Sequence, residues 1–320
     1  MKPKVLITLR IPEAHIRSEL LASAEVIRPE HPGKAMGFDE ALAAVSDAFA
    51  VVNHGELTVG ETLLDRAPRL RIVSNVAIGT DNLDLEAMAR RGVWATNAPD
   101  AFTDATADAT FGLLLALARK ICSGDRYVRS GRWEADGIQP MAWEGTRLAG
   151  KALGIVGFGA IGAAVARRAE AFGMDVLFTR SRPDPDPRFR TLEALLAEAD
   201  IVSLHTPLTP ETRRLIDAAR LRLMKPGSIL VNMARGKVVD EQALVDALKG
   251  GRLAGACLDV FENEPAVHPD LRDLPNVVLA PHIGGSTVES RRDARLLACD
   301  NILRVLAGQA PITPVNNVPP

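Results

Sequence analysis

The stretch Lys151-Ala-Leu-Gly-Ile-Val-Gly-Phe-Gly-Ala-Ile-Gly162 decides the fold of this chain. It carries the pattern G-x-G-x-x-G at Gly157, Gly159 and Gly162, which follows an apolar strand and opens a predicted helix over residues 160–172. In that context the first glycine allows a tight turn, the second lets the backbone approach a pyrophosphate, and the third lets the helix pack closely on the strand. The N–H groups at the start of the helix then face the anion. The stretch predicts a dinucleotide-binding domain, and the alternative is a tight turn without a ligand.

Short aliphatic runs alternate with helix-length amphipathic segments along almost the whole chain. This alternation is typical of parallel sheets built from βαβ units, because parallel strands need a crossover that a helix supplies. The first series has predicted strands at 5–8, 48–52 and 71–74, and predicted helices at 13–22, 59–67 and 85–91. The second series has predicted strands at 152–156, 175–178, 201–204, 228–231, 255–259 and 277–279. The pattern predicts an α/β protein with two doubly wound parallel-sheet domains, Rossmann or flavodoxin-like in type.

Two segments join these series. Residues 103–129 read as one long helical segment, whose apolar run Phe111-Gly-Leu-Leu-Leu-Ala-Leu-Ala118 is too short for a membrane span and predicts a buried helix between the domains. Residues 131–150 contain Trp133 and Trp143 without clear periodicity and predict a loop or an arm. This segment is either a surface connection or an arm that reaches a partner subunit.

Composition and charge narrow the possible functions. Hydrophobic residues make up 47% of the 320 residues and charged residues 24%, as in globular proteins, and the length suits two domains. A net charge of −2 leaves no broad basic surface for nucleic acid. Cys122, Cys257 and Cys299 form no C-x-x-C pair, so neither disulfides nor a metal site is predicted. The start MKPKVLITLR predicts a strand rather than a signal peptide, and no stretch approaches the ~18 apolar residues of a membrane span. We therefore expect a soluble, cytoplasmic protein with no membrane partner.

The tip of the second strand after the glycine pattern predicts which nucleotide binds. An acidic residue there would bind the ribose 2′-hydroxyl of NAD, whereas arginine accommodates the 2′-phosphate of NADP. The chain has Arg180, Ser181 and Arg182 at this position and no acid until Asp184, in the proline-rich loop 182–187. This favours NADPH, with NADH possible, since a carboxylate would repel the phosphate. The alternative is that these arginines are ordinary solvated surface.

Three polar side chains follow late strands of the second series. Hydride transfer to a keto acid needs a proton donor for the carbonyl oxygen and a cation for the carboxylate. His282 suits the donor role because imidazole titrates near neutral pH, and Arg235 offers a planar fork of donors. Glu264, if it meets the ring of His282, would raise the histidine's pKa by stabilising the imidazolium. Each residue alone reads more simply as loop or surface, but together, downstream of the glycine pattern, they predict a reductase of 2-keto acids.

The sequence resembles the D-isomer-specific 2-hydroxyacid dehydrogenase family along nearly its whole length. Residues 148–162, 203–212 and 224–236 are similar to the three signatures of that family. The resemblance implies that Arg235, Glu264 and His282 are the catalytic set and that Asp259 contacts the nicotinamide carboxamide. It also implies cofactor contacts at Gly157, Phe158, Gly159, Ala160, Ile161, Gly162, Arg180, Ser181, Arg182, His205, Thr206, Pro207, Thr212, Met233, Ala234, Gly284 and Thr106.

The resemblance extends to the first series and to domain organisation. Residues 75–82 look like the family's substrate loop, in which the backbone N–H groups of Ala77, Ile78 and Gly79 receive the substrate carboxylate. His54, Leu57 and Trp143 would shape the substrate side-chain pocket. The implied substrate domain is discontinuous, residues 1–99 plus 287–320, beside a dinucleotide-binding Rossmann domain at 100–286, with a cleft between them. A homodimer is implied as well.

Within the family, residues 100–108 and the arginines at 180 and 182 are most similar to the glyoxylate/hydroxypyruvate reductase branch. That branch prefers NADPH and often extends to 2-ketogluconate. We therefore expect reduction of a small 2-keto acid to the D-2-hydroxy acid. Alternatives are a phosphoglycerate, D-lactate or phosphite/formate type of dehydrogenase, and a dinucleotide-sensing corepressor without activity, against which the intact Arg–Glu–His set argues.

Overall fold

A computed structural model describes residues 2–31 and 34–318 of the chain. They form two compact units. The first unit comprises the residues up to Phe102 together with those from Ser286 onward, and the second unit is Thr103–Gly285. Positions 1, 32, 33, 319 and 320 of the predicted substrate domain lie outside the described residues.

The first unit is built on a parallel sheet in the order β2-β1-β3-β4-β5. This is the doubly wound order of flavodoxin-like folds. Its strands are β1 Lys4–Ile7, β2 Glu25–Ile27, β3 Ala48–Asn53, β4 Ile72–Asn75 and β5 Trp94–Thr96. Its connecting helices are α1 Ser18–Ser23, α2 Phe38–Ala44, α3 Glu61–Arg66 and α4 Leu85–Arg90, with a 3-10 turn at Glu13–His15.

The second unit holds a parallel sheet in the order β11-β10-β9-β8-β6-β7. Its strands are β6 Ala152–Val156, β7 Asp175–Thr179, β8 Ile201–Leu204, β9 Ser228–Asn232, β10 Leu253–Leu258 and β11 Val277–Leu279. Its helices are α5 Thr103–Ala118, α6 Ile121–Arg129, α7 Arg132–Asp136, α8 Ala160–Ala171, α9 Leu192–Glu198, α10 Ala218–Leu223, α11 Glu241–Lys249 and α12 Pro269–Asp273. 3-10 turns lie at Pro140–Trp143 and Gly236–Val238. The two sheets confirm the predicted two-domain α/β fold.

The chain returns to the first unit through α13, Val288–Leu306, which packs against β3 and β4. Thr287 caps this helix, and the side chains of Thr287 and Ser290 form a capping box that satisfies two N–H groups at its start. Central strands such as β8 and β9 are buried at every residue. Helices cover both faces of such sheets, which is why these strands appear in the sequence as continuous apolar runs rather than as alternating patterns.

Two predicted segments differ in detail from the structure. The helical segment predicted over 103–129 is two helices, because Lys120 adopts a left-handed φ of 55° between α5 and α6. Helix α5 packs against α8, β10 and β11 of its own unit. The segment 131–150, predicted without regular structure, contains the short helix α7. Nowhere in the ranges 2–31 and 34–318 does a helix combine the length and apolarity that a membrane crossing requires.

Candidate active site

The glycine turn between β6 and α8 is shaped for close approach of an anion. Gly157 has φ +95°, and a Cβ there would lie 2.5 Å from the carbonyl oxygen of His205. A Cβ at Gly162 would lie 2.2 Å from the carbonyl oxygen of Gly157, so helix and turn are in direct backbone contact. Gly159 faces open space, and as N-cap of α8 it provides no side-chain hydrogen bond to the helix. The N–H groups at the helix start are therefore available, and the turn fits a pyrophosphate.

This turn lies at the point where strand order reverses in the sheet. Strands β7 and β8 lie on opposite sides of β6, so a crevice forms at their carboxyl ends, where α/β sheets bind ligands. The segment 205–207 follows β8 beside the turn, and Thr212 ties it down by accepting the N–H of Thr209 and donating to the carbonyl of Pro207 at 2.6 Å. The glycine turn and the segment 205–207, which both contain predicted cofactor residues, are therefore neighbours at the carboxyl edge of the sheet.

His205 contributes to this edge through its backbone more than through its ring. The ring Nε2 shares a 2.8 Å hydrogen bond with Ser203 Oγ, and Nδ1 is buried without a hydrogen-bond partner in the described part of the chain. Burial lowers the pKa of His205 to about 3, so the imidazole is neutral at physiological pH. The residue shapes the glycine turn without adding a charge beside the pyrophosphate position.

The predicted selector of the nucleotide sits on the loop after β7. Ser181 and Arg182 are exposed, whereas Arg180 pairs with Asp184 four residues on. Phe158 of the glycine pattern stacks on Phe178 with ring centroids 3.9 Å apart, so its side chain packs into the fold. The pairing of Arg180 was missed by the sequence analysis, which placed Asp184 beyond the strand tip.

The predicted catalytic histidine and glutamate are brought together in the second unit. The Oε2 atom of Glu264 lies 2.8 Å from Nδ1 of His282, and Oε1 accepts the backbone N–H of Phe261 at 2.9 Å. Partial burial acts to raise the pKa of the Glu264 carboxyl, but these hydrogen bonds and the charges of His282 and Arg235 outweigh it, and the pKa is lowered. The carboxylate is therefore ionised and placed to stabilise an imidazolium.

Arg235 reaches this pair because its loop packs directly on the glutamate loop. A Cβ at Gly236 would lie 1.8 Å from the carbonyl carbon of Phe261, so only glycine permits this contact. Asn232, buried at the end of β9, accepts the N–H of Ala234 and donates to the carbonyl of Arg235. Asn232 was not predicted from the sequence, although an asparagine at the end of a buried strand is the available signal.

Asp259 fixes the segment that carries the histidine. The residue is 3% exposed, and its carboxylate accepts the N–H groups of Ile283 and Gly284, both at 2.7 Å, while its carbonyl accepts the N–H of His282. Burial raises the pKa of Asp259 despite these two hydrogen bonds. His282 itself has φ +55°, a conformation that costs a non-glycine residue energy and that these contacts hold in place. The predicted contact of Asp259 with nicotinamide stays a prediction.

Three other predicted cofactor residues of the second unit are buried side chains. Met233 and Ala234 are buried at the end of β9, and the methyl carbon of Met233 lies 2.7 Å from a Cβ built on Gly284. Thr106 is buried in α5, where its carbonyl accepts the hydroxyl of Thr110. Gly284 thus has no room for a side chain between Met233 and Asp259.

The predicted substrate loop lies at the carboxyl end of β4 in the first unit. Asn97 donates to the carbonyl of Ile78 at 2.8 Å, and Asn75 donates to that of Gly79 at 3.3 Å. Among residues 2–31 and 34–318, no group accepts a hydrogen bond from the N–H of Ala77, Ile78 or Gly79. Two asparagines, neither identified from the sequence, therefore hold a loop that presents backbone donors.

His54 lies in the same unit next to α13. Arg295 donates to His54 Nε2 at 3.4 Å and to His15 Nδ1 at 2.9 Å. Burial, together with the charges of Arg295 and Arg291, lowers the pKa of His54 to about 3. The predicted substrate contact is therefore a neutral ring beside two arginines, and its hydrogen bond with Arg295 was not predicted from the sequence.

The fold and the glycine turn define the second unit as a dinucleotide-binding α/β domain. Residues 111–284 match the family described as D-isomer specific 2-hydroxyacid dehydrogenase, NAD binding domain. This protein belongs to the D-isomer-specific 2-hydroxyacid dehydrogenase family, and its relatives include glyoxylate reductases.

Similar proteins cover nearly the full chain. The glyoxylate reductase of Pyrococcus furiosus is 45% identical over 324 residues, which cover 99% of this chain and 96% of that protein. The glyoxylate reductase of Thermococcus kodakarensis is 47% identical, with 99% and 97% covered. Among solved structures, a Thermus thermophilus protein superposes with a TM-score of 0.90 at 43% identity, covering 98% and 99% of the two chains. The NADPH-dependent glyoxylate/hydroxypyruvate reductase of Sinorhizobium meliloti, solved with NADP and malonate, has a TM-score of 0.86 at 33% identity, covering 98% and 97%.

Proposed function

We propose that this protein reduces glyoxylate and hydroxypyruvate to the corresponding 2-hydroxy acids, forming the D isomer where the product is chiral, with NADPH as its preferred cofactor. The observation that carries the proposal is the 2.8 Å contact between Glu264 and His282, with the charge of Arg235 beside it. The names of the relatives from Pyrococcus, Thermococcus and Sinorhizobium support the choice of substrate. The product of hydroxypyruvate would be D-glycerate.

The roles of the three side chains follow from their geometry. The hydride that forms the new C–H bond at the carbonyl carbon would be supplied by a nicotinamide nucleotide when one is bound. Because Nδ1 of His282 is held by Glu264, Nε2 is the nitrogen left to give a proton to the carbonyl oxygen. Glu264 stabilises the protonated ring before transfer, and Arg235 binds the carboxylate and polarises the carbonyl. The histidine ends the step neutral and regains its proton from solvent.

The first unit contributes substrate binding in this proposal. The N–H groups of residues 77–79, which have no acceptor among the residues that the structure describes, are suited to a carboxylate, because successive backbone donors bind anions without side-chain charge. We propose residues 1–99 with 287–320 as the substrate domain and 100–286 as the nucleotide domain.

The preference for NADPH rests on the loop after β7. Arg180 and Arg182 offer two guanidinium groups and Ser181 a hydroxyl, which are groups that bind a 2′-phosphate. The remaining arginines of this loop, Arg188 and Arg190, are held by Asp186 and by Glu198, so they are structural. NADH remains a possible second cofactor.

Initial rates with each cofactor across glyoxylate, hydroxypyruvate, pyruvate and 2-ketogluconate test the proposal. We expect kcat/KM to be highest for glyoxylate or hydroxypyruvate and at least about tenfold higher with NADPH than with NADH, as one net phosphate contact of about 1.4 kcal/mol would give. Chiral separation of the product of hydroxypyruvate should show the D isomer. A preference for NADH would overturn the cofactor assignment, and absence of turnover with all four acids would overturn the substrate assignment.

We also propose that the protein works as a cytoplasmic homodimer. The segment 131–143 exposes Ile138 and Met141 by 83% and 81%, which is unusual for large apolar side chains, while Trp143 packs on Tyr127. Light scattering should therefore give a mass of twice 34.3 kDa. Charged substitutions at both exposed positions should lower that mass, and a parent that scatters as a single chain would contradict the dimer.

A further inference from the structure

The loop after β7 contains a carboxylate, that of Asp184, beside the arginine proposed to bind the 2′-phosphate. Asp184 pairs through Oδ2 with the guanidinium of Arg180, and its Oδ1 accepts the backbone N–H of Asp186 at 2.9 Å. The side chain of Asp184 is 13% exposed, whereas that of Arg180 is 46% exposed. The acid is therefore the fixed member of the pair, and the arginine is the member that a ligand can reach.

The position of Asp184 is built into the loop. Three prolines, at 183, 185 and 187, alternate with the two aspartates and restrict the backbone. Asp186 accepts the N–H of Arg188 at 2.9 Å and pairs with its guanidinium at 2.7 Å. That guanidinium in turn lies over the Phe158 ring, 5.8 Å from its centroid. The loop is thereby fastened to the glycine turn, and Asp184 cannot easily withdraw from Arg180.

We propose that Asp184 is a specificity-determining residue that restrains the preference for a 2′-phosphate, because its carboxylate occupies Arg180 and repels the incoming phosphate. A nucleotide without the 2′-phosphate carries no group there for the carboxylate to repel, so the restraint acts on the 2′-phosphate alone. This inference rests on the nucleotide site of the proposed function and adds a residue that opposes Arg180 and Arg182 within it.

Binding of two mononucleotides tests this without catalysis. Adenosine 2′,5′-bisphosphate and AMP differ only in the 2′-phosphate, and isothermal titration gives the affinity of each for the full-length protein. In Asp184→Asn we expect the affinity for the bisphosphate to rise about five- to tenfold while that for AMP changes less than twofold. The gain should shrink in high salt, because the repulsion is screened. Retained AMP binding shows that the variant is folded.

Two controls distinguish an effect of the Asp184–Arg180 ion pair from a general effect of removing a negative charge. Asp175→Asn removes the same charge from an exposed residue at the opposite end of β7 and should leave the affinity ratio of the two mononucleotides at the parental value. In an Arg180→Ala background, Asp184→Asn should raise bisphosphate affinity clearly less than in the parent, since the guanidinium that it frees is gone.

The outcomes distinguish this inference from the proposed cofactor preference. An unchanged ratio in Asp184→Asn overturns the inference, whichever nucleotide the parent prefers. Weaker bisphosphate binding also overturns it, because Asp184 would then orient Arg180 for the phosphate. A parent that favours AMP, with a ratio that rises in Asp184→Asn, supports the restraint and contradicts only the NADPH preference.

Discussion

Replacing Arg235 with alanine should lower kcat/KM for glyoxylate by about a thousandfold, equivalent to ~4 kcal/mol of transition-state stabilisation. The side chain is proposed to bind the carboxylate and polarise the carbonyl, so its removal affects both binding and the chemical step. Arg235→Lys should recover only a small part of the activity, because a single ammonium cannot reproduce a planar fork of donors. Steady-state kinetics with saturating NADPH would measure both losses.

The control for Arg235 is an arginine outside the site. Arg90 is 61% exposed on α4 and pairs with Glu61, so Arg90→Ala removes the same charge from the surface. It should leave kcat/KM within twofold of the parent. NADPH affinity should be parental in Arg235→Ala, since the proposal places this residue on the substrate. Activity within about threefold of the parent in Arg235→Ala would remove the residue from the catalytic set.

Replacing His282 with asparagine should lower kcat by about 10²- to 10⁴-fold, the usual contribution of a positioned general acid. The pH profile is the more specific readout. In the proposed mechanism this ring gives the proton to the substrate, so any alkaline decline of the parental activity that depends on the ring should be absent from the residual activity of His282→Asn.

Glu264→Gln provides the matched test of the proposed ion pair. The amide keeps the shape of the side chain but removes the charge that stabilises the imidazolium, so the alkaline decline should begin at lower pH than in the parent. Activity at acidic pH should be affected much less than activity at alkaline pH. If His282→Asn kept the parental alkaline decline, another group would be the acid; if Glu264→Gln left the profile in place, the ion pair would have no role in catalysis.

The elements that carry the site were largely predictable because their sequence patterns are local. The glycine turn places three glycines within six residues between a strand and a helix, and the observed contacts of Gly157 and Gly162 explain the first and third of them. Elements of few residues carry too little periodicity to be recognised. Strand β5 has three residues, and the N–H of Ala95 within it is satisfied by Asn316, 221 residues away. No local pattern could have indicated that bond.

The same distinction holds for the site. The residue types of Arg235, Glu264 and His282 predicted a chemistry, and the structure places the glutamate and histidine in contact. The groups that position these residues were not predictable, because each contacts a residue that is distant in the sequence. Asp259 holds residues 24 and 25 positions downstream. Asp184 was discounted because its distance along the sequence from the strand tip hid the pairing with Arg180.

The two backbone hydrogen bonds to Asp259 have a consequence for the energetics of turnover. The aspartate directly follows β10 and lies in the interior of the second unit, so the histidine segment is anchored beside the sheet rather than to solvent-exposed loop structure. If His282 is the proton donor, as proposed, the entropy of fixing it is lost when the chain folds, not each time a substrate binds. Little reorganisation of His282 is then expected during the reaction, so binding energy from the keto acid is not needed to align this residue.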